Sequence, residues 1–174
     1  LAWQTVFLDC SADHVAVAGA FATTDPQARV QIPLNEGMPE SEVRARLLQG
    51  EPVSHLCAWL IRREVATDLG GLREWFPSGC DLDFQFRLAE RGDVRFRPAP
   101  AYVYRLHKAS VTHRLTEARN RFYADAASRF ARQRAATGTD DLAEGRPPVF
   151  DQALAPAPGL DPSAQFGGQL LGYA

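Results

Sequence analysis

The chain has 174 residues, a length typical of one globular domain, and its apolar content is ordinary for such a domain. The formal net charge of −2, with Arg residues spread along the chain, predicts no nucleic-acid partner. No apolar run approaches the length that a bilayer requires, so the sequence predicts no transmembrane segment and leaves peripheral membrane association open.

The cysteines and the N-terminal residues indicate which cellular compartment to expect. The three Cys residues lack the spacing of a metal site. Cys57 lies in the apolar run 56–61, which favours a reduced thiol in the core and a reducing compartment. No signal peptide is recognisable. We therefore expect a cytoplasmic location, with the inner face of the membrane as the open alternative.

Apolar segments alternate with turn residues in the first half of the chain and predict a mixed α/β order. Residues 41–48 are typical of a short amphipathic helix, since Ser41 can cap its start and Gly50 follows its end. His14 and His55 each stand beside a predicted strand start, where a structural histidine is more common than a ligand. The predicted elements are a helix at 1–8, strands at 15–21, 29–34 and 55–62, and helices at 41–48 and 63–69.

Two carboxylates, Asp81 and Asp83, stand on a turn just where an apolar helix begins. Pro77 and Gly79 end the preceding segment, and Gly92 is positioned to stop the helix. The helix dipole favours negative charge in the first turn, so an N-capping role and a catalytic role both stay open. The same residues form a D-x-D sequence, but no apolar strand leads into it, which disfavours a metal-binding loop.

Residues 101–110 begin as an alternating strand and end in polar residues. A side-chain period of two places Tyr102 and Tyr104 on one face and Arg105 and His107 on the other. A guanidinium suits phosphate oxygens, and a neutral imidazole suits a divalent metal or a proton relay. A histidine that only hydrogen-bonds the backbone at the strand end is the open alternative for His107.

Taken in order, these segments resemble the C-terminal half of glycosyltransferase family 2, over residues 15–113. The resemblance rests on the order and spacing of short motifs. They are Arg-Arg-Glu-Val at 62–65, Leu-Gly-Gly-Leu at 69–72, Cys-Asp-Leu-Asp at 80–83, Arg-Leu-Ala-Glu-Arg-Gly at 87–92, Tyr-Arg-Leu-His at 104–107, and Ser110.

The resemblance implies an α/β fold, a partial GT-A (Rossmann-like) sandwich, that transfers a sugar from a nucleotide donor to an acceptor hydroxyl, commonly with inversion. Asp81 matches the family's general base, while Cys80 stands where the family usually carries Glu. His107 matches a histidine that helps to hold the metal in some members. Arg105 lies where the donor diphosphate would approach.

The family also implies a divalent metal, Mn or Mg. The D-x-D strand end and the first nucleotide-binding strands of the family are not found, so we expect the main carboxylate ligands, and the donor-binding side, outside this chain. Expected partners are a nucleotide-sugar donor and a saccharide or lipid-linked acceptor. Asp83 is expected to contact substrate, and Trp75 is expected either to stack on an acceptor sugar or to cover the helix start.

The sequence divides into three segments. Residues 1–114 correspond to the glycosyltransferase-like part, residues 115–144 to a C-terminal helical extension, and residues 145–174 to a Pro/Ala/Gly-rich tail that we expect to be disordered. A non-catalytic interaction module, degenerate because of Cys80 and the missing half, is the competing interpretation.

Overall fold

The computed structural model describes residues 1–25, 27–28, 31–34, 39–105 and 116–151. His107 and the tail beyond residue 151 lie outside these ranges. The helices are α1 Ala2–Asp9, α2 Arg44–Leu48, α3 Arg63–Asp68, α4 Cys80–Arg91 and α5 Glu117–Thr137, with a 3-10 turn at Leu56–Ala58. The strands are β1 His14–Thr24, β2 Gln31–Leu34, β3 Ser41–Glu42, β4 Trp59–Ile61 and β5 Asp93–Arg105.

The sheet is mixed and is built around β1, in which every residue after His14 is buried. Its order is β2-β1-β5-β3, and β4 also pairs with β1. Only the β1–β5 pair is parallel; the pairs described with β2, β3 and β4 are antiparallel. A parallel pair needs a long crossover, and here the crossover carries α2, α3 and α4. The predicted α/β class with a C-terminal helix is therefore confirmed.

One long strand, β5, runs from Asp93 to Arg105 and includes the strand that was predicted from residue 101. Gly19 pairs with Arg97 while its neighbour Ala20 pairs with Pro100, so β5 carries extra residues at this point. Proline has no N–H to donate to a ladder, which accounts for the shift in register there.

The core joins the sheet to α4 and α5. The stripe that α5 buries includes Ala126 and Phe130, whereas Phe122 is only partly buried. Because these side chains pack with β1, α4 and β5 in one cluster, α5 is part of the domain and not an extension of it. The buried residues of α5 are Tyr123, Ala126, Ala127, Phe130 and Ala131.

Two local predictions are corrected by the structure. Ser41 does not cap a helix: Ser41–Glu42 pairs with β5, and the helix begins only at Arg44. The Glu42 carboxylate accepts hydrogen bonds from the backbone N–H groups of Val43, Arg44 and Val94, so it ties β3 to the strand beside it. The predicted strand 55–62 is shorter, because its first half forms the 3-10 turn.

The predicted boundary at residue 145 is also corrected. The ring of Phe150 contacts the ring of Phe122 at 5.4 Å, and the Arg119 guanidinium lies 5.8 Å from the Phe150 ring centroid. The segment up to Asp151 therefore packs on α5. No helix in the described part of the chain is both long enough and apolar enough to cross a bilayer.

Candidate active site

Asp81 is the second residue of α4, and its side chain is partly exposed. Gly79, not an aspartate, occupies the N-cap position, and its φ of 73° lies in the left-handed region. A Cβ at Gly79 would lie 3.3 Å from the carbonyl carbon of Tyr123, so the loop approaches α5 closely. The N-capping interpretation of Asp81 therefore does not apply, and its carboxylate lies in the positive field of the helix start.

The Asp81 carboxylate has no hydrogen bond or ion pair to any residue in the described ranges, but two thiols respond to its charge. Burial raises the pKa of Cys57 to about 11, and the negative charge of Asp81 adds to the increase. Burial, followed by the charge of Asp81, also raises the pKa of Cys80. The 3-10 turn that carries Cys57 also contacts α4, the helix that carries Asp81.

Asp83, the other acid of the turn, is fully buried, so it cannot contact a substrate as expected. Its carboxylate accepts hydrogen bonds from Arg73 Nε at 2.9 Å and from Arg87 Nε at 2.9 Å. The i,i+4 spacing of Asp83 and Arg87 was visible in the sequence and is typical of a helical ion pair. The structure assigns Asp83 to the framework that holds the start of α4.

This framework extends from α4 to the end of α5. Arg73 Nη1 donates to both oxygens of Asp140, at 3.0 and 2.8 Å, and Arg134 also pairs with Asp140. Arg134 Nε donates in addition to Glu90 at 2.6 Å. Since Arg73 belongs to the loop before α4, the network fixes that loop to both helices. We call these side chains the arginine network: Arg73, Asp83, Arg87, Glu90, Arg134 and Asp140.

Trp75 belongs to an aromatic cluster that closes the same loop over α5. Its ring centroid lies 4.8 Å from that of Phe76, 5.2 Å from Tyr123 and 5.7 Å from Phe130. Ser78 Oγ donates to Asn120 Oδ1 at 2.8 Å and adds a polar anchor. These contacts correspond to the expected alternative in which Trp75 covers the helix start, and its role in binding a sugar stays a prediction.

A group of side chains beside Asp81 escaped the sequence analysis. The Sγ atom of Cys57 lies 3.0 Å from Nδ1 of His55, and the His55 ring stacks on Tyr104 with centroids 5.5 Å apart and planes 24° apart. Cys57 is exposed, so the expected core thiol is wrong, but enough protein packs around its Sγ atom to desolvate the thiol and raise its pKa. The shared face of Tyr102 and Tyr104 could have indicated this group. The sequence analysis predicted that face but assigned no contacting residue to it.

Arg105 is the last residue of β5 and is exposed. The rings of Tyr102 and Tyr104 lie on one face, with centroids 6.4 Å apart, and the regular register to Thr24 places Arg105 on the opposite face. The described contacts therefore do not join Arg105 to Asp81. His107 falls outside the described residues, so the substrate role of Arg105 and the metal role of His107 stay predictions.

A divalent metal is not supported by the residues that can be tested. Within the described ranges, no group of three or more His, Cys, Asp or Glu side chains could hold a metal ion. The main ligands were expected outside this chain, so the metal remains an implication of the family resemblance.

His14, the remaining described histidine, has a structural environment. Its Nε2 atom lies 3.2 Å from a carboxylate oxygen of Glu42, and its ring meets the edge of Phe7 at 5.2 Å. It lies at the start of β1, whereas Tyr104 pairs near the end of β1.

Comparison of the chain with protein-family models, with curated proteins and with solved structures finds no match.

Proposed function

We propose that this chain is part of a glycosyltransferase that transfers a sugar from a nucleotide donor to an acceptor hydroxyl with inversion, and that Asp81 is the general base. The observation that carries the proposal is the contrast between two neighbouring acids. Asp83 is fully buried and paired with two arginines, whereas Asp81 is partly exposed and lacks any such partner among the described residues. Of these two acids, only Asp81 can accept a proton from a bound molecule.

The chemistry requires a carboxylate of this kind. As the acceptor oxygen attacks the anomeric carbon, its proton must leave, and a carboxylate within hydrogen-bond reach accepts it. Asp81 lies in the first turn of α4, at the positive end of the helix dipole. The arginine network contributes by holding α4 and the loop before it in place, since a base must keep its geometry to be effective.

The leaving nucleoside diphosphate develops negative charge that must be stabilised. Arg105 is the residue that the resemblance offers for this task, and a divalent metal would add Lewis-acid stabilisation when bound. The loop before α4 is anchored by the Ser78–Asn120 hydrogen bond and by the Arg73–Asp83 ion pair, which supports the proposed base more directly than the donor site.

The test is an Asp81→Asn substitution, measured on the complete gene product with a panel of nucleotide sugars. We expect turnover to fall by about two or more orders of magnitude, because general-base contributions are of that size, while thermal stability is unchanged. Asp125→Asn is the matched control, since Asp125 is an exposed aspartate of α5.

Turnover close to wild type in folded Asp81→Asn protein would remove Asp81 from the mechanism. A complete gene product that transfers no sugar from any donor would instead favour the non-catalytic module. Loss of activity in Asp125→Asn would show that the loss is not specific to Asp81.

A further inference from the structure

A surface of aromatic rings and one imidazole borders Asp81. We call it the His55 surface, and its members are His55, Cys57, Tyr102 and Tyr104. The buried ring of Phe21 supports it from below, with its centroid 5.7 Å from that of His55. Tyr102 is 39% exposed and Cys57 is exposed, so the outer side of the surface is open to a ligand.

The surface carries polar groups at its edges. The Sγ atom of Cys57 and Nδ1 of His55 are 3.0 Å apart, within hydrogen-bond distance, and the tautomer of the ring decides which of the two donates. Within the described residues, His55 Nε2 and the two phenol oxygens have no hydrogen-bond partner. One imidazole nitrogen and two hydroxyl groups are therefore available around an apolar centre.

The surface lies beside the proposed base. The 3-10 turn that carries Cys57 contacts α4, β1 and β5, so it sits where the start of the acid-bearing helix meets the two central strands. The influence of the Asp81 charge on Cys57 agrees with this placement. A molecule on the His55 surface would therefore have one end near the Asp81 carboxylate.

We propose that the His55 surface binds a pyranose ring of the acceptor saccharide, a proposal that rests on the proposed function. A pyranose has an apolar face of C–H groups, which packs on aromatic rings, and a rim of hydroxyl groups, which hydrogen-bond polar edges such as these. A nucleobase is the competing ligand. It fits less well, because His55 and Tyr104 already stack on each other and leave no slot between parallel rings.

The first test uses saturation-transfer NMR on the 174-residue chain with millimolar methyl glycosides of glucose, galactose, mannose and rhamnose, and with UMP as the nucleobase probe. We expect binding of at least one glycoside. Tyr104→Ala and His55→Ala should weaken it by about three- to tenfold, the amount that one aromatic contact contributes. His14→Ala is the matched control and should bind as wild type, because His14 lies at the other end of β1.

The second measurement needs no substitution. A saccharide on the His55 surface should slow the alkylation of Cys57 by iodoacetamide, while the exposed Cys10 at the end of α1 reacts at an unchanged rate in the same molecule. Tyr104→Phe is a conservative variant that keeps the ring and removes only the hydroxyl. If Tyr104→Ala is poorly folded, Tyr104→Phe still tests the surface.

Three outcomes would overturn the proposal. In the first, no glycoside binds, and in the second, wild type and both alanine variants bind the glycoside equally well. In the third, the binding of UMP depends on His55 and Tyr104, whereas the binding of the glycoside does not. The proposed function fails separately: if Asp81→Asn keeps full turnover while the glycoside still protects Cys57, the saccharide site stands and only the general base is lost.

Discussion

At the scale of single residues, Asp81 and Asp83 show how two identical side chains acquire different chemistry. They are two positions apart in the first turn of α4, so their side chains leave the helix in different directions. One direction leads into the arginine network, where the charge is neutralised by Arg73 and Arg87. The other leaves the Asp81 carboxylate partly exposed, on a helix that contacts the 3-10 turn of Cys57.

The thiol of Cys57 reports on the position of the Asp81 carboxylate. Burial and the Asp81 charge together hold its pKa at about 11, so alkylation near neutral pH is slow for want of thiolate. Asp81→Asn removes the negative charge, and we expect the pKa to fall and alkylation to quicken at a given mildly alkaline pH. The measurement is the pH profile of Cys57 alkylation by mass spectrometry, with Cys10 as the internal reference.

The expected change is a decrease in the pKa of Cys57 in the Asp81→Asn protein. A profile that is identical in wild type and Asp81→Asn would place the carboxylate too far from Cys57 to belong to the His55 surface. Asp125→Asn, which alters a charge on α5, should leave the profile unchanged.

At the scale of elements, the arginine network couples α4 to α5 and to the segment that follows α5. Arg73 also lies over the rings of Phe76 and Phe130, at 5.6 and 5.2 Å from their centroids, so its guanidinium is enclosed by charge and by aromatic faces. Because Arg73 precedes α4 and Asp140 follows α5, the network connects the loop before α4 with the segment after α5.

Asp140 is a buried member of the arginine network, with 2% of its surface exposed. Asp140→Asn should reduce the free energy of unfolding by about 3–5 kcal/mol, the usual cost of breaking a buried ion pair. Glu117→Gln removes an exposed i,i+4 pair with Arg121 and should change stability by less than about 1 kcal/mol. Urea unfolding at neutral pH measures both, and equal effects would contradict a buried network.

The same comparison has a defined pH dependence. Burial alone would raise the pKa of Asp140, but hydrogen bonds from the Ala143 N–H, Arg134 and Arg73 outweigh it, and the pKa is lowered. A lowered folded-state pKa means that the stabilisation is fully present above the ordinary aspartate value of about 3.9 and is lost as the pH falls through the folded value. The difference in the free energy of unfolding between wild type and Asp140→Asn should therefore become smaller as the pH falls.

At the scale of the whole molecule, the part that resembles a glycosyltransferase and the C-terminal helix share one core. Five α5 residues lie in the same cluster as β1, α4 and β5. On the opposite face of the sheet, α1 is tied down by Gln4, whose amide donates to the carbonyl of Ala58 at 2.9 Å. Helices thus cover both faces of the sheet.

A truncation series tests this organisation by thermal unfolding. A chain that ends at residue 114 should show no cooperative transition, because it lacks the α5 face of the core. A chain that ends at residue 145 should lose about 0.5–1.5 kcal/mol through the missing Phe150–Phe122 contact. A chain that ends at residue 151 should match the full chain, because a Pro/Ala/Gly-rich composition offers few large apolar side chains for a core. A folded 1–114 fragment would contradict the single core.

Local sequence alone determined which segments form the main elements and where the acids lie. The strand through residues 15–21, the helix that starts after Gly79 and the long helix beyond residue 115 were predicted correctly, because side-chain period and turn residues act over a few neighbours. The placement of Asp81 in a first helical turn and the common face of Tyr102 and Tyr104 were predicted for the same reason.

Tertiary structure decided which of these groups meet. Arg73 and Asp140 are 67 positions apart, and His55 meets Tyr104 only because the 3-10 turn packs where β1 and β5 run parallel. Asp83 became a framework residue and Cys57 an exposed one through such long-range contacts, which local propensity does not encode. Burial and charge pairing depend on the packing of distant segments, so the chemistry of each side chain was settled only when the chain had folded.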